Sequence, residues 1–408
     1  MSKKLLQINV TANWGSTGKI AEQINVMAQK QGWSTYIAYG RYSNPSESQL
    51  IRVGSDLNVY EHYAEHICLD NDGLSSRNTT RKLVKVIKGI KPDIIHLHNI
   101  HDHWLNYKIL FEYLNTLDVP VVWTQHDCWA FTGDCGYFSQ LACNQYASGC
   151  SETCPFRKKT ITRRFVNHTK QHYELKKGLF SATRKLTLVP VSHWLEGVLK
   201  ESFLKDKRIK TIYNGVDISV FRPIENFGDV LKKFGLDGVP YVVGVATAWS
   251  ERKGFADYCK LSVMMPQGVR IVLVGLDEKL RKNAEKNGII GIARTDNIEE
   301  LVALYNGAAI VMNLSYEETF GLTTVEGFAC GRPGIVYGAT ASPELVTNET
   351  GIVVEPGDVV GVARAVGGIL EKGKSYYTDA CRRRAVEYFD KDKCFEEYLQ
   401  LYERLLAR

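Results

Sequence analysis

The chain has 408 residues, of which 44% are hydrophobic, 24% charged and 11% aromatic, and its formal net charge is +6. These ordinary globular proportions exclude disordered, collagen-like and low-complexity classes, and the length suits two domains of roughly 200 residues each. The mild positive charge is too weak to argue for nucleic acid and suits anionic small molecules or an anionic membrane surface.

Gln7 and Asn9 interrupt the first apolar run, so Leu5–Val10 reads as a β-strand and not as the core of a signal peptide. No apolar run approaches the roughly 18 residues that span a bilayer. A cytoplasmic protein is expected, with its ten cysteines reduced. Gly18–Gln31 is predicted as a helix, Thr35–Tyr39 and Asp93–His98 as strands, Tyr107–Thr116 as a helix and Val119–Gln125 as a strand. A Cys-, Gly- and aromatic-rich loop over 128–155 breaks this rhythm, and a basic helical stretch follows it. Strands are then expected at Leu186–Val191 and Arg208–Tyr213.

A second series begins with strand Tyr241–Ala246, helix Asp257–Met264 and strand Val269–Val274. Helices Leu280–Asn287 and Ile298–Asn306, strand Ala309–Leu314, helix Thr323–Ala329 and strands Gly334–Tyr337 and Gly351–Val354 complete it, with helix to the end. The βαβ alternation predicts an α/β chain of two doubly wound, Rossmann-like domains with parallel sheets, facing each other across a cleft. The expected division is 1–215, 216–390 and a terminal helix over 391–408, with the join near Asn214–Pro223. The stripe Phe395, Tyr398, Leu401, Tyr402 and Leu405 would pack that helix back across the domains or into a dimer.

Chemistry concentrates first at Glu318-Thr319-Phe320-Gly321-Leu322-Thr323-Thr324-Val325-Glu326, which runs on to Gly331-Arg332-Pro333. A strand ends, a glycine turn passes and a helix begins between the two carboxylates. Free amides at Gly321, Leu322 and Thr323 would make an anion site, with Glu326 and Glu318 beside it to accept from hydroxyls. A phosphate flanked by sugar hydroxyls fits; capping carboxylates on a surface helix are the plainer alternative. The loop Ala248-Trp249-Ser250-Glu251-Arg252-Lys253-Gly254 offers two cations for a diphosphate, although Arg-Lys pairs are usually solvated surface.

Together these segments resemble the retaining glycosyltransferases of family 4, of GT-B fold. Ile212-Tyr213-Asn214-Gly215-Val216-Asp217, with Phe221 and Pro223, is similar to the family's interdomain segment, and Ala341-Ser342-Pro343-Glu344-Leu345 to the loop after its signature. The resemblance implies that Lys253 binds the donor diphosphate, Glu326 the ribose, and Glu318 the donor sugar, while Phe320, Gly321, Leu322 and Thr323 close around sugar and diphosphate. The family usually carries an arginine where Ala248 stands, and Arg252 is the candidate for the second cation. It further implies an N-terminal acceptor domain and a C-terminal nucleotide-sugar domain.

In the first half, Asn13–Lys19 lacks the P-loop pattern and resembles the family's glycine-rich first loop, which makes Gly15 and Gly18 candidate donor contacts; a simple strand–helix turn is the alternative. Trp123-Thr124-Gln125-His126-Asp127 resembles the family's Thr-x-His-Asp segment, implying that His126 touches the donor sugar; a structural histidine is the alternative. His96, His98, His101 and His103 invite a metal reading, against structural or acceptor-facing roles, and His193 reads as helix-start packing. His62, His66, His168 and His172 show no constellation in the sequence.

Cys135, Cys143, Cys150 and Cys154 could close a structural Zn2+ site on a loop expected to have little core of its own, with disulfides or free thiols as alternatives. The other cysteines, Cys68 among them, read as packing residues. From 156 to 185 the ten basic residues Arg157, Lys158, Lys159, Arg163, Arg164, Lys170, Lys176, Lys177, Arg184 and Lys185 accompany one acid, Glu174. Such a stretch suits peripheral contact with anionic lipid at the inner membrane face and a lipid-linked acceptor, or simply a solvated face. The expected activity is transfer of a sugar from a nucleoside diphosphate sugar, UDP before GDP, to a glycan or lipid-linked glycan hydroxyl in bacterial surface polysaccharide synthesis. The anomeric configuration would be retained, without a catalytic metal. The rival readings are a non-catalytic nucleotide-sugar scaffold and a GT-B enzyme of other chemistry, such as a phosphorylase or epimerase.

Overall fold

A computed structural model describes residues 2–156 and 166–407. It divides into two units, Met1–Ile212 with Phe395–Arg408, and Tyr213–Cys394.

The first unit is built on seven parallel strands: β1 (Lys4–Ile8), β2 (Ser34–Tyr39), β3 (Gln49–Arg52), β4 (Ile94–Leu97), β5 (Val121–Gln125), β6 (Leu186–Pro190) and β7 (Arg208–Ile209). Their order is β3-β2-β1-β4-β5-β6-β7, so the winding reverses between β1 and β4. Strands β4, β5 and β6 are buried throughout, as helices on both faces require, and they therefore read as mainly apolar runs without alternation, interrupted by His96, Thr124, Gln125 and Thr187. The second unit repeats the plan with β8 (Tyr241–Val245), β9 (Arg270–Val274), β10 (Ile290–Ile292), β11 (Ile310–Asn313), β12 (Gly334–Tyr337) and β13 (Gly351–Val354). Its order is β10-β9-β8-β11-β12-β13, and it reverses between β8 and β11.

Several elements carry no strong pattern in the sequence. Strand β3 is a largely exposed edge without alternation. Helix Asp56–Leu69 leaves Leu57, Tyr60 and Tyr63 exposed and buries His62 and His66, so its inward face is polar and its hydrophobic periodicity is masked. The first helix begins at Gly15 and not at Gly18, because Gly15 takes the left-handed backbone that turns β1 into the helix.

The Cys-rich segment differs from the expected core-poor loop. Trp129, Phe131 and Phe138 are buried within it, alongside Cys135, Cys150 and Cys154. Helix Thr169–Ala182 packs against it and sends Lys176 inward. That ammonium donates to the carbonyls of Trp129 (3.1 Å), Thr132 (3.3 Å) and Gly133 (2.9 Å) and lies 3.5 Å from the Trp129 ring centroid. Lys176 is therefore unavailable to a lipid surface, because its charge closes the carbonyl ends of a turn. Lys170, Lys177, Arg184 and Lys185 are exposed; Arg157, Lys158, Lys159, Arg163 and Arg164 lie outside the described residues. Cys68 is exposed, not packed.

Helix Lys391–Leu406 starts in the second unit, where the Lys391 amide donates to the Val216 carbonyl (3.0 Å), and its residues from Phe395 onward join the first. There Tyr398 Oη meets Thr124 Oγ1 (3.0 Å) and Tyr402 Oη meets His96 Nδ1 (2.6 Å). Among the described residues no helix is long and apolar enough to cross a membrane.

Candidate active site

In an open parallel sheet, ligands sit beyond the carboxyl ends of the two strands that flank the winding reversal. In the second unit these are β8 and β11, which pair directly, so the loops that leave them run side by side. The first carries Arg252 and Lys253, the second Glu318. Gly254 closes the cation loop at φ 72, where a Cβ would meet the Leu314 carbonyl oxygen at 2.1 Å; only glycine lets the two loops approach this closely.

Lys253 Nζ and Glu318 Oε1 form an ion pair, although 65 residues separate them. Ser315 Oγ also donates to Glu318 Oε1 (3.0 Å). Arg252 is held by its own backbone, whose carbonyl accepts from the Tyr316 amide (2.8 Å), and its Nη1 donates to the Glu317 carbonyl (2.8 Å). Burial pushes the Glu318 carboxyl upward. The Lys253 charge and hydrogen bond, the Arg252 charge and the Ser315 hydroxyl outweigh that and hold it below the ordinary carboxylate range. Thr340, at φ 50, accepts from the Glu318 amide and donates to its carbonyl, both at 2.8 Å, and so fixes the loop from the far side.

Beyond Glu318, Phe320 is buried against Tyr213 and Phe389, each ring 5.8 Å away. Gly321 turns the chain at φ 106 into helix Leu322–Ala329, whose N-terminus no side chain caps. Leu322 and Thr323 are half-buried there. Glu326 stands one turn further on and accepts from Tyr305 Oη (2.7 Å). The geometry therefore brings Lys253, Arg252 and Glu318 together, with the uncapped helix start following on the same loop. Ala248 is exposed, and the Trp249 indole beside it is tied to the Val274 carbonyl (2.8 Å).

The first unit places different chemistry at its own reversal, between β1 and β4. Gln7 donates through Nε2 to the Ala21 carbonyl and to Asn25 Oδ1, both at 2.6 Å, which turns its Oε1 towards His98 Nε2 (2.5 Å). His98 thus carries its proton on Nε2 and accepts through Nδ1 from His126 Nε2 (3.0 Å). Burial, the largest effect, holds His98 and His96 well below the usual histidine value and His126 near 4, so the chain is one of neutral imidazoles. His101 is the exception. Burial alone would lower it, but Asp127 (2.9 Å) and Asp102 (3.2 Å) raise it well above the ordinary value. Gly15 has open space around its α-carbon, whereas a Cβ on Gly18 would meet Thr11 Oγ1 at 2.6 Å, so Gly18 serves the packing of helix on loop. His193 is exposed on its helix and meets Glu196 Oε2 (2.9 Å).

Two groups of residues carry no signal in the sequence. Thr340, Tyr305 and Ser315 carry no motif of their own and are found only through their contacts with Glu318 and Glu326. Among the described residues, two sets of three metal-ligating side chains have atoms within 4.8 Å of one another: His66, Asp72 and His103, and Asp70, Asp134 and His172. No three of the loop cysteines form such a set. All ten cysteines are free thiols, and Cys135 and Cys150 are pushed up in pKa, first by burial, Cys150 to about 12.

Comparison with known proteins divides the chain as the fold does. Residues 21–220 match the model of Glycosyltransferase Family 4, and residues 240–372 match that of Glycosyl transferases group 1. Over 419 aligned positions, covering 98% of this chain and 100% of the relative, it is 23% identical to the "Putative colanic acid biosynthesis glycosyl transferase WcaC" of Escherichia coli K12. The fold is that of the sucrose-phosphate synthase from Thermosynechococcus elongatus, with a TM-score of 0.72, 18% identity and 99% of each chain covered. It is likewise that of Anabaena Alr3699/HepE, solved in complex with UDP-glucose, with a TM-score of 0.66, 14% identity and 98% of this chain and 99% of that one covered.

Proposed function

We propose, for a chain that belongs to the glycosyltransferases these two models describe and has their GT-B fold, that it transfers a sugar from a nucleoside diphosphate sugar to a glycan or lipid-linked glycan hydroxyl. A UDP-sugar is favoured over a GDP-sugar, the setting is bacterial surface polysaccharide synthesis, and the anomeric configuration is retained. One observation carries the reading: Lys253, Arg252 and Glu318 meet at the winding reversal of the second sheet, directly before an uncapped helix N-terminus.

The difficult event in such a transfer is departure of a diphosphate as negative charge grows on it. Lys253 is half-buried and aimed by its pairing with Glu318. When the diphosphate takes Lys253, Glu318 is released to accept from a hydroxyl of the donor sugar. Arg252 and the amides after Phe320 add preorganised positive potential for the leaving group. The bond from the anomeric carbon to the diphosphate oxygen breaks, and the acceptor oxygen bonds to that carbon on the same face. The acceptor proton passes to the departing diphosphate. Glu326, oriented by Tyr305, binds the ribose, and His126, held as a neutral imidazole, helps orient the sugar. Nothing in this route asks for a metal or a protein nucleophile. The name of one relative places it in colanic acid biosynthesis, and a structure of the same fold was solved in complex with UDP-glucose, which supports the setting and the donor class.

The test is a panel of UDP- and GDP-sugars. One donor should raise the melting temperature, and the full chain should release its nucleoside diphosphate when a glycan acceptor is added, with a retained anomeric centre by NMR. Stabilisation by a donor that is never turned over with any acceptor would favour a binding scaffold. No response to any nucleotide sugar would remove the assignment.

A further inference from the structure

The first unit holds a second polar centre that the transfer chemistry does not use. Helix Asp56–Leu69 buries His62 and His66, one helical turn apart. Asp72 follows two residues beyond the helix's C-cap Asp70 and is buried. His103 arrives from the segment after β4, where Asp102 and His103 both take left-handed backbone, at φ 75 and 66. Two consecutive side chains in that region are strained, and such strain persists only where the surroundings hold the segment in place.

His66 Nδ1 stands 3.8 Å from Asp72 Oδ1, and His103 completes a set of ligand atoms within 4.8 Å of one another. The other Asp72 oxygen accepts from Trp129 Nε1 (2.8 Å), the type of outer contact that orients a ligating carboxylate. His62 and His103 each bury an Nε2 for which the described residues supply no hydrogen-bond partner. The His62 ring stands edge-on to His103, 5.6 Å between centroids, with its Nδ1 engaged by Ser76 Oγ (2.8 Å). Buried polar nitrogens are nearly always satisfied, so the orphaned His103 Nε2, in a set with His66 and the Asp72 carboxylate, leaves a place for a bound partner. The second set is unlike this one. Asp134 already meets His172 (2.6 Å) and Thr169 (3.2 Å), and Asp70 accepts from the His168 amide (2.6 Å).

We propose that His66, Asp72 and His103 form a site for a divalent transition-metal ion such as Zn2+, with an open coordination position towards the 330 Å3 cavity that these residues line with His101 and Asp127. Two imidazoles and a carboxylate suit that ion, and three protein ligands leave one position open. Ligands about 2.0–2.1 Å from a tetrahedral ion stand roughly 3.3 Å apart, so binding draws the three side chains together, by at most about 1.5 Å for any pair. The site lies outside the residues assigned to the transfer reaction and does not depend on that assignment.

The test uses the full chain, stripped of metal, kept reduced, and titrated with Co2+ by absorption and Zn2+ by calorimetry. One Co2+ is expected with the visible bands of nitrogen and oxygen ligation and no sulfur-to-cobalt charge transfer. H103A alters a half-buried side chain outside helices and strands, and its folding is checked by circular dichroism. It should weaken binding at least tenfold, as should H66A, while C135S and C150S leave that ion in place. A stripped, folded chain that takes up no Co2+, uptake unchanged in H103A, or a signal lost only in the cysteine variants would each overturn the site.

Discussion

The two winding reversals occupy the same place in two similar sheets and carry opposite chemistry. Beyond β8 and β11 stand a lysine, an arginine and a carboxylate, partly open to solvent and paired through charge. At the carboxyl ends of β1, β4 and β5 stand Gln7, within β1, and His98 and His126, just past β4 and β5, buried, neutral and linked through single protons. Topology supplies the place, and the strand-end residues decide what the place can do. A charged cluster is suited to a leaving diphosphate. A neutral imidazole chain fixes hydrogen-bond direction without adding charge.

The contrast is tested most strongly by acid. His62 and His126 titrate near 6.5 when unfolded and near 4 when folded, and His96 and His98 are also lowered. Between those values the unfolded chain binds more protons, so stability falls as pH drops from about 6.5 to about 4, by up to about 3 kcal/mol each for His62 and His126. His101, raised, works in the opposite sense and contributes stability that is lost only as pH rises through its folded value. Glu318 is lowered below 4.5, so its contribution to the second unit is lost only at more acid pH. Six of the seven tryptophans lie in the first unit and Trp249 alone in the second. Tryptophan fluorescence should therefore report acid unfolding at higher pH than the remaining far-ultraviolet signal; one shared transition would erase the contrast.

Next is Lys176, the buried cation of the first unit. K176M leaves three carbonyls and the nearby Asp72 and Asp134 uncompensated, so a loss of about 3–5 kcal/mol is expected in urea unfolding followed by fluorescence. In the second unit, K253A should lower turnover a hundred- to a thousandfold, about 3–4 kcal/mol in the barrier, read as nucleoside diphosphate release. A near-normal rate would mean that the charged cluster does not hold the diphosphate. The smallest effect belongs to Tyr305, which only orients Glu326. Y305F should cost about 1 kcal/mol, seen as a several-fold rise in donor KM with kcat little changed.

Much of this was legible in the sequence because it is local. The β4, β5 and β11 runs, the glycine turn at Gly321 and the cations after β8 are patterns within a few residues, and strand ends locate loops. Helix Asp56–Leu69 was not legible, since histidines fill its buried face and no aliphatic stripe marks it. Lys176 counted as one more cation of a basic stretch, because side-chain direction on a helix depends on what packs against it.

The amino-acid order alone determined the alternation of strands and helices, the two doubly wound halves and the motifs that reveal the family, since short-range periodicity and turn chemistry encode them. Tertiary structure alone decided that Lys253 would find Glu318 65 residues away, that Gln7 would set the proton positions of His98 and His126, and that His66, Asp72 and His103 would converge. Those meetings depend on strand order, register and close packing, and no stretch of chain a few residues long contains that information.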